Sequence, residues 1–301
     1  MHIIKNRKFY YLLPTVLVAL SLLAVLVFGL KGGVDLMGGS LLEVSYSDVR
    51  PSQEAVQTSV NRLNLGDIRV QPTGERGYIL RMRDITDLEK QGIESALIID
   101  GNIPKEEQFT TIGPTIGTEI RTKAWWAIGL VLLAIILYIA FAFRKVSEPV
   151  SSWKYGIIAI ITLVHDIAIP TGLFALLGYT HGAEVDSLFI VGLLTVLGIS
   201  INDTIVVFDR IRENLKIDHD TNAHEDFEVI VGHSITQTIA RSVNTSLTVI
   251  IVLAALFFVG PEPTQNFALT LIVGMVAGTY SSIFLASPLL VTWERWSKRK
   301  A

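Results

Sequence analysis

Six stretches of this chain are too long and too uniformly apolar to be the amphipathic elements of a water-soluble domain. They cover residues 9–30, 124–143, 155–177, 187–208, 243–259 and 267–293. Each comes near or exceeds the ~20 residues that carry a helix across a hydrocarbon core about 30 Å thick. The fold class read from them is an α-helical polytopic membrane protein with six transmembrane helices. The fifth stretch is the shortest and is expected to begin a few residues before Val243. The first follows Lys5, Arg7 and Lys8, as a signal peptide would. It contains Pro14, however, and ends in Phe28-Gly29-Leu30-Lys31 with no small-x-small cleavage site, so it reads as an uncleaved anchor.

The basic residues set an expected orientation. They cluster before the first span, at Arg144, Lys145 and Lys154, at Arg210, Arg212 and Lys216, and at Arg295, Lys298, Arg299 and Lys300. The short connections 179–186 and 260–266 hold neither Lys nor Arg. The positive-inside rule then places both termini in the cytoplasm. Trp125, Trp126, Trp153, Trp293 and Trp296 all fall at span ends, where indoles favour the interface. The net charge of -3 decides nothing, because topology follows the distribution of charge. With no cysteine, disulfides and thiolate chemistry are excluded.

Three regions follow: 1–30 with the first span, 31–123 outside the membrane, and 124–301 with spans two to six. The middle region reads as a small folded domain. Strand-like segments at 41–46, 67–71, 78–83 and 108–112 alternate with helical segments at 51–63 and 84–99. Pro51 suits a first helical turn, Thr86 and Glu89 have capping-box spacing, and Pro72-Thr73-Gly74-Glu75-Arg76-Gly77 suits a hairpin. The order βαββαβ is the ferredoxin-like pattern. That fold specifies no function, and a domain without histidine reads as a binding or mechanical module rather than an enzyme. Before it runs Gly32-Gly33-Val34-Asp35-Leu36-Met37-Gly38-Gly39, read either as close-packed turns or as a flexible exit from the first span.

The residues that ask for a function are polar ones inside the spans. Asp203 lies about 9 Å inside the exit marked by Asp209, at 1.5 Å per residue. An ionised Asp near a helix centre costs about 2.5–3.5 kcal/mol on insertion scales, so it is neutral, paired or facing water. Ser200 shares its helix face, and Asn202 and Thr204 flank it. In the fifth span, Gln237, Thr238, Arg241, Asn244, Thr245 and Thr248 follow helical spacing and are expected to form one polar stripe facing the bundle interior. Arg241 is the expected partner of Asp203. Arginine keeps its charge at physiological pH, so only the carboxylate of such a pair can titrate, which makes it a proton-operated switch. The competing readings are a snorkelling Arg241 and a static ion pair. His165-Asp166 interrupts the third span about 18 Å from its cytoplasmic end. It reads either as a proton relay or as a hydrogen-bonded kink near Pro170, and not as a catalytic pair, since no glycine-flanked nucleophile accompanies it. Gly274-Met275-Val276-Ala277-Gly278 in the sixth span is a small-xxx-small packing motif.

These residues carry a resemblance. Gly33-Val34-Asp35-Leu36-Met37-Gly38-Gly39, His165-Asp166, residues 198–214, Thr236-Gln237-Thr238-Ile239-Ala240-Arg241 and Asn244-Thr245-Ser246-Leu247-Thr248 together resemble the SecF family. Its members are the smaller membrane subunits of the bacterial SecDF protein-export complex, in the resistance-nodulation-division superfamily. Ile199, Leu36 and Thr236 depart from residues usual in the family, leaving the Asp and Arg positions intact. The resemblance implies a translocase subunit of the bacterial cell membrane that works with SecD. Such a subunit uses the proton motive force to drive late steps of preprotein export through the SecYEG translocon. It implies proton transport by Asp203 and Arg241, and that the outer domain acts on the emerging preprotein. It implies no enzyme activity, no cofactor, no metal and no nucleic acid; the lipid bilayer is the remaining partner. Read from the residues alone, a half-transporter exporting lipids or small hydrophobic molecules and a non-transducing membrane scaffold stay open as alternatives.

Overall fold

A computed structural model describes residues 2–142 and 151–299, so Phe143, Arg144, Lys145 and Lys300 of the sequence reading lie outside the described residues. In chain order the elements are α1 (His2–Lys5), α2 (Arg7–Phe28), α3 (Val34–Met37), β1 (Gly39–Tyr46), α4 (Gln53–Asn61), β2 (Arg69–Thr73), β3 (Gly77–Met82), α5 (Asp87–Ala96), β4 (Pro104–Ile112), α6 (Pro114–Ala142), α7 (Ser152–Thr180), α8 (Ser187–Thr221), α9 (Phe227–Val259), α10 (Glu262–Ser281), a π-helical turn (Ser282–Ala286) and α11 (Ser287–Lys298). Two compact units result. One holds Met1–Leu30, Trp126–Ala183 and Leu188–Ala301; the other holds Lys31–Trp125 with Glu184–Ser187.

The first unit is a helical bundle. Among the described residues, six helical segments are long and apolar enough to cross a membrane: α2, α6, α7, α8, α9 and the composite α10–π–α11. Inside hydrocarbon a helix satisfies its backbone N–H and C=O groups within itself, which is why apolar runs of this length take that form. The fifth span begins at Phe227, well before the few residues upstream of Val243 that hydropathy suggests. Phe227, Ile230, Val231 and Ile235 repeat at helical spacing and are buried, while the intervening polar side chains lower the average hydropathy. The sixth span is not a uniform α-helix. Pro288 has no N–H to give to the carbonyl of Phe284, and the π-helical turn sits just before it. There the Ser287 hydroxyl donates to the Ser282 carbonyl at 3.3 Å.

The second unit is an α/β domain of order βαββαβ. Its four strands form a sheet in the order β2-β3-β1-β4, with every neighbouring pair antiparallel. Alternate residues of β1, Leu42, Val44 and Tyr46, are buried and meet Val56, Val60, Leu80, Ile93 and Leu97 in one apolar core. The helices start at their caps, so Pro51 lies one residue before the α4 cap rather than in the first helical turn, and α5 begins at Asp87 rather than at 84. Ser52 accepts from the Ala55 N–H at 3.2 Å to cap α4, and Thr86 with Glu89 forms a complete capping box on α5. The glycine segment is close-packed rather than slack. Gly38 and Gly39 have φ of 78° and 135°, and a Cβ on Gly39 would lie 2.5 Å from the Met82 carbonyl oxygen. The loop Glu184–Ser187 joins this unit through Val185 N–H to Lys31 O at 2.7 Å and Gly33 N–H to Val185 O at 2.9 Å. Glu184 also pairs with Arg81 at 2.9 Å; burial pushes its carboxyl above the usual range while Arg81 opposes that shift.

Candidate functional site

Two glycines decide which polar side chains meet inside the bundle. A Cβ on Gly274 would lie 2.3 Å from Cγ2 of Val196, and one on Gly278 would lie 2.9 Å from Cβ of Ser200. Without side chains there, α10 approaches α8 closely, as small-xxx-small motifs allow. That approach sets Thr279 and Ser281 of α10 beside the polar turn of α8 that carries Ser200 and Asp203.

Asp203 is buried, with 6% of its surface exposed. Its Oδ2 accepts from the Ser246 hydroxyl of α9 at 3.4 Å, and Ser246 in turn accepts from the Thr279 hydroxyl of α10 at 2.6 Å. Thr279 has a second acceptor within reach, the Met275 carbonyl at 2.8 Å. The carboxyl therefore lies at the end of a hydroxyl chain drawn from two other helices. Among the described residues no Lys or Arg forms a contact ion pair with it.

This arrangement corrects two expectations about the fifth span. Arg241 is exposed at the surface of the bundle and makes no ion pair with Asp203 among the described residues. Gln237, Asn244, Thr245 and Thr248 are exposed as well, so the stripe does not face the interior of these six helices. Thr238 alone turns inward, and it donates to the Ser234 carbonyl at 2.8 Å. Gln237 accepts from Asn214 of α8 at 3.0 Å rather than reaching Asp203. Asn202 is exposed, whereas Thr204 is buried with its hydroxyl 3.3 Å from the Ser200 carbonyl.

The interior face of α9 is instead a line of small hydroxyls at intervals of four: Ser234, Thr238, Ser242 and Ser246. Ser234 and Thr238 each donate to the carbonyl four residues back, at 2.8 Å, which satisfies them inside their own helix. Short hydroxyls are thus less costly to bury than Gln, Asn or Arg. In a helix whose two neighbouring faces are both polar, they take the inner one. The signal was the repeat of Ser/Thr every four residues, which the longer polar side chains overshadow.

His165 and Asp166 form a second buried cluster. Asp166 is fully enclosed, and its Oδ1 lies 2.8 Å from His165 Nδ1. Its Oδ2 accepts from the Ser281 hydroxyl of α10 at 2.9 Å and from the Ser200 hydroxyl of α8. Helix α7 runs unbroken through Pro170. Ser281, like Ser246 and Thr279, was not foreseen; the pair Ser281-Ser282 ahead of Pro288 was the available clue.

Comparison with known proteins gives the family. The family model described as "Protein export membrane protein SecD/SecF, C-terminal" matches residues 98–296. The chain belongs to the SecD/SecF family of protein-export membrane proteins. Its relatives include the Protein translocase subunit SecF of Thermobaculum terrenum, 41% identical over 97% of this chain and 93% of that protein. The SecF subunit of Anaerolinea thermophila is 37% identical, covering 100% of this chain and 98% of the relative. Among solved structures, SecDF from Thermus, described as a translocon-associated membrane protein, has a TM-score of 0.85 at 30% identity over 98% of this chain. SecDF in a super-membrane-facing form gives 0.70 at 31% identity over 99%. In both cases the chain spans 39% of the SecDF chain's length. These SecF relatives are named as translocase subunits, not as enzymes of a catalytic family.

Proposed function

We propose that this chain is the SecF subunit of a bacterial translocase, working with a SecD partner. In this reading it uses the proton motive force to drive late steps of preprotein export through SecYEG. The observation that carries the reading is the Asp203 carboxyl, buried in a membrane-spanning bundle of an export family with the Ser246 hydroxyl as its hydrogen-bond partner among the described residues. An ionised Asp at such a place is costly, and a proton removes the cost. Arg241, one helix away, supplies a positive charge that no physiological pH removes. With Asp203 protonated, the Ser246 hydroxyl, itself held by Thr279, is partner enough. With Asp203 ionised, the attraction of Arg241 draws α9 toward α8. Proton binding and release thereby become a movement between two helices.

The exposed face of α9, with Gln237, Arg241, Asn244, Thr245 and Thr248, supports the SecD partnership. Such a face is costly against lipid, and helices of a second subunit would cover it. Asn202 and Asn244 then serve at that seam, while Thr204 and Thr238 support the α8–α9 contact from within. Both termini are assigned to the cytoplasm from the Lys/Arg distribution, with the α/β unit on the outer side where it acts on the emerging preprotein.

The test is gradient-stimulated preprotein translocation into membrane vesicles carrying Asp203→Asn. The amide keeps the shape of the side chain and abolishes its titration. Stimulation by the proton gradient should fall to the level of vesicles lacking the protein, with the variant still folded and co-purifying with SecD. Arg241→Lys, which keeps the charge but loses the planar fork, should fall between the two. Normal stimulation in Asp203→Asn would leave the static scaffold as the better account.

A further inference from the structure

We infer that Asp166 is a second proton-binding site of the bundle, distinct from Asp203, in which one proton is shared between the Asp166 carboxyl and the His165 imidazole. Its role in transport rests on the proton-driven reading above; the site itself stands on its own geometry.

Charge is the first argument. Asp166 has none of its surface exposed, and among the described residues its one ionisable contact is His165, at 2.8 Å. An Asp anion beside a neutral imidazole leaves a net negative charge in a water-excluded place. One added proton, on either partner, makes the pair neutral as a unit. Further titratable groups come only from the packed neighbours. Asp203 lies three residues along α8 from Ser200, and the Tyr280 hydroxyl of α10 donates to the Tyr10 carbonyl at 3.0 Å. The α2 stretch 12–27 has no ionisable side chain.

The hydrogen bonds fit both protonation states. An ionised carboxylate accepts only, and here it can take donors from His165 Nδ1, Ser200 and Ser281. A protonated carboxyl must itself donate, and the Ser200 oxygen stands ready to accept. Ser281 then has a second acceptor, the Gly278 carbonyl at 3.1 Å, against 2.9 Å to Asp166 Oδ2.

Two further observations point to an exchangeable proton. His165 is 4% exposed, and its Nε2 has no hydrogen-bond partner among the described residues. This leaves one ring nitrogen of the pair open to an arriving proton or water. Ser281 is also the last residue of α10 before the π-helical turn Ser282–Ala286. Such turns are frequent at functional sites, and this one lies where protonation of Asp166 would redirect a hydrogen bond. The two carboxyls share no contacting hydroxyl: Asp203 uses Ser246, and Asp166 uses Ser200 and Ser281.

The experiment is infrared difference spectroscopy of the full chain with its SecD partner across a pH titration, following the carbonyl stretch of protonated carboxyls. In an Asp203→Asn background the bands of the other carboxyls, Glu184 among them, persist, and within them one titrating carboxylic-acid band should belong to Asp166. Adding Asp166→Asn should remove it. Ser281→Ala keeps the carboxyl and deletes one donor, so it should shift the frequency and midpoint of the same band. That variant guards against poor folding of Asp166→Asn. A spectrum unchanged by both Asp166→Asn and Ser281→Ala would overturn the inference, making Asp166 a fixed structural acceptor. The readout does not depend on export. Gradient-driven translocation that survives Asp203→Asn would sink the transport reading while leaving the Asp166 band in place.

Discussion

In the α/β unit the enclosed side chains are mostly apolar, with Leu42, Val56, Val60, Leu80, Ile93 and Leu97 all at 0% exposure. Its charges pair nearer the surface, as Arg83 does with Glu89 and Lys90 with Glu106. The bundle reverses the arrangement. Leu26, Phe9 and Trp126 lie exposed, while Thr162, His165, Asp166, Ser200, Asp203, Thr204 and Ser246 are buried. In water the burial of apolar surface drives folding. Between lipid-facing helices that force is absent, and close packing with hydrogen bonds replaces it. The α/β unit does bury one hydroxyl, Ser40, tied to Thr111 at 2.8 Å and to the Ile85 N–H at 3.3 Å. That group cannot titrate, so it fixes strands. Among the described residues, the carboxyls buried without a contacting Lys or Arg, Asp166 and Asp203, belong to the bundle, and there the function is sought.

The contrast can be broken by substitutions of matching chemistry. Leu80→Ala should destabilise the α/β unit by about 2–5 kcal/mol, read as lost hydrogen-exchange protection in β1 and β3. Leu26→Ala, at a position 83% exposed, should change stability by less than about 0.5 kcal/mol. A comparable loss from both would mean that the outer face of α2 is not a lipid face. Next comes Gly274→Val, which places carbon where Val196 stands and should cost about 1–3 kcal/mol by overpacking. It should lower the melting temperature in detergent and impair gradient-driven activity, leaving exchange in the α/β unit unchanged. Retained activity would show that the α8–α10 approach does not position the site.

The smallest effect is expected from Thr86→Ala, about 1 kcal/mol, confined to exchange in α5. The same cap carries a pH signature. The Arg83 hydrogen bond, with the backbone of Thr86, holds the Glu89 carboxyl at about 2 against an ordinary 4.5. Its folded-state pKa is lowered, so its contribution is complete above about pH 4.5 and fades as pH falls through about 2. Protection in α5 that declines well above pH 4.5 would point to another group.

The α/β order and the Thr86–Glu89 box were legible because both rest on local spacing. The six spans were legible because apolar runs need no partner to declare themselves. What escaped the sequence depends on which helix faces which. The polar stripe through Arg241 has proper helical spacing, but spacing cannot say which of two adjacent polar faces of α9 turns inward. Asp203 was singled out by the cost of burying it. Its actual contact, Ser246, and the Thr279 hydroxyl behind it are small groups on two other helices. The π-helical turn had a visible cause in Pro288, whose missing N–H was not followed back to Phe284.

Proton movement itself tests the central claim most directly. The chain would be co-reconstituted with its proposed SecD partner in liposomes holding a pH-sensitive dye, and a proton gradient imposed. The native protein should let protons through at a rate above that of empty liposomes. Asp203→Asn, with hydrogen-exchange protection around Leu80 and SecD association unchanged, should give the rate of empty liposomes. Native-level proton movement through that well-folded variant would contradict the assignment of Asp203 as the proton carrier.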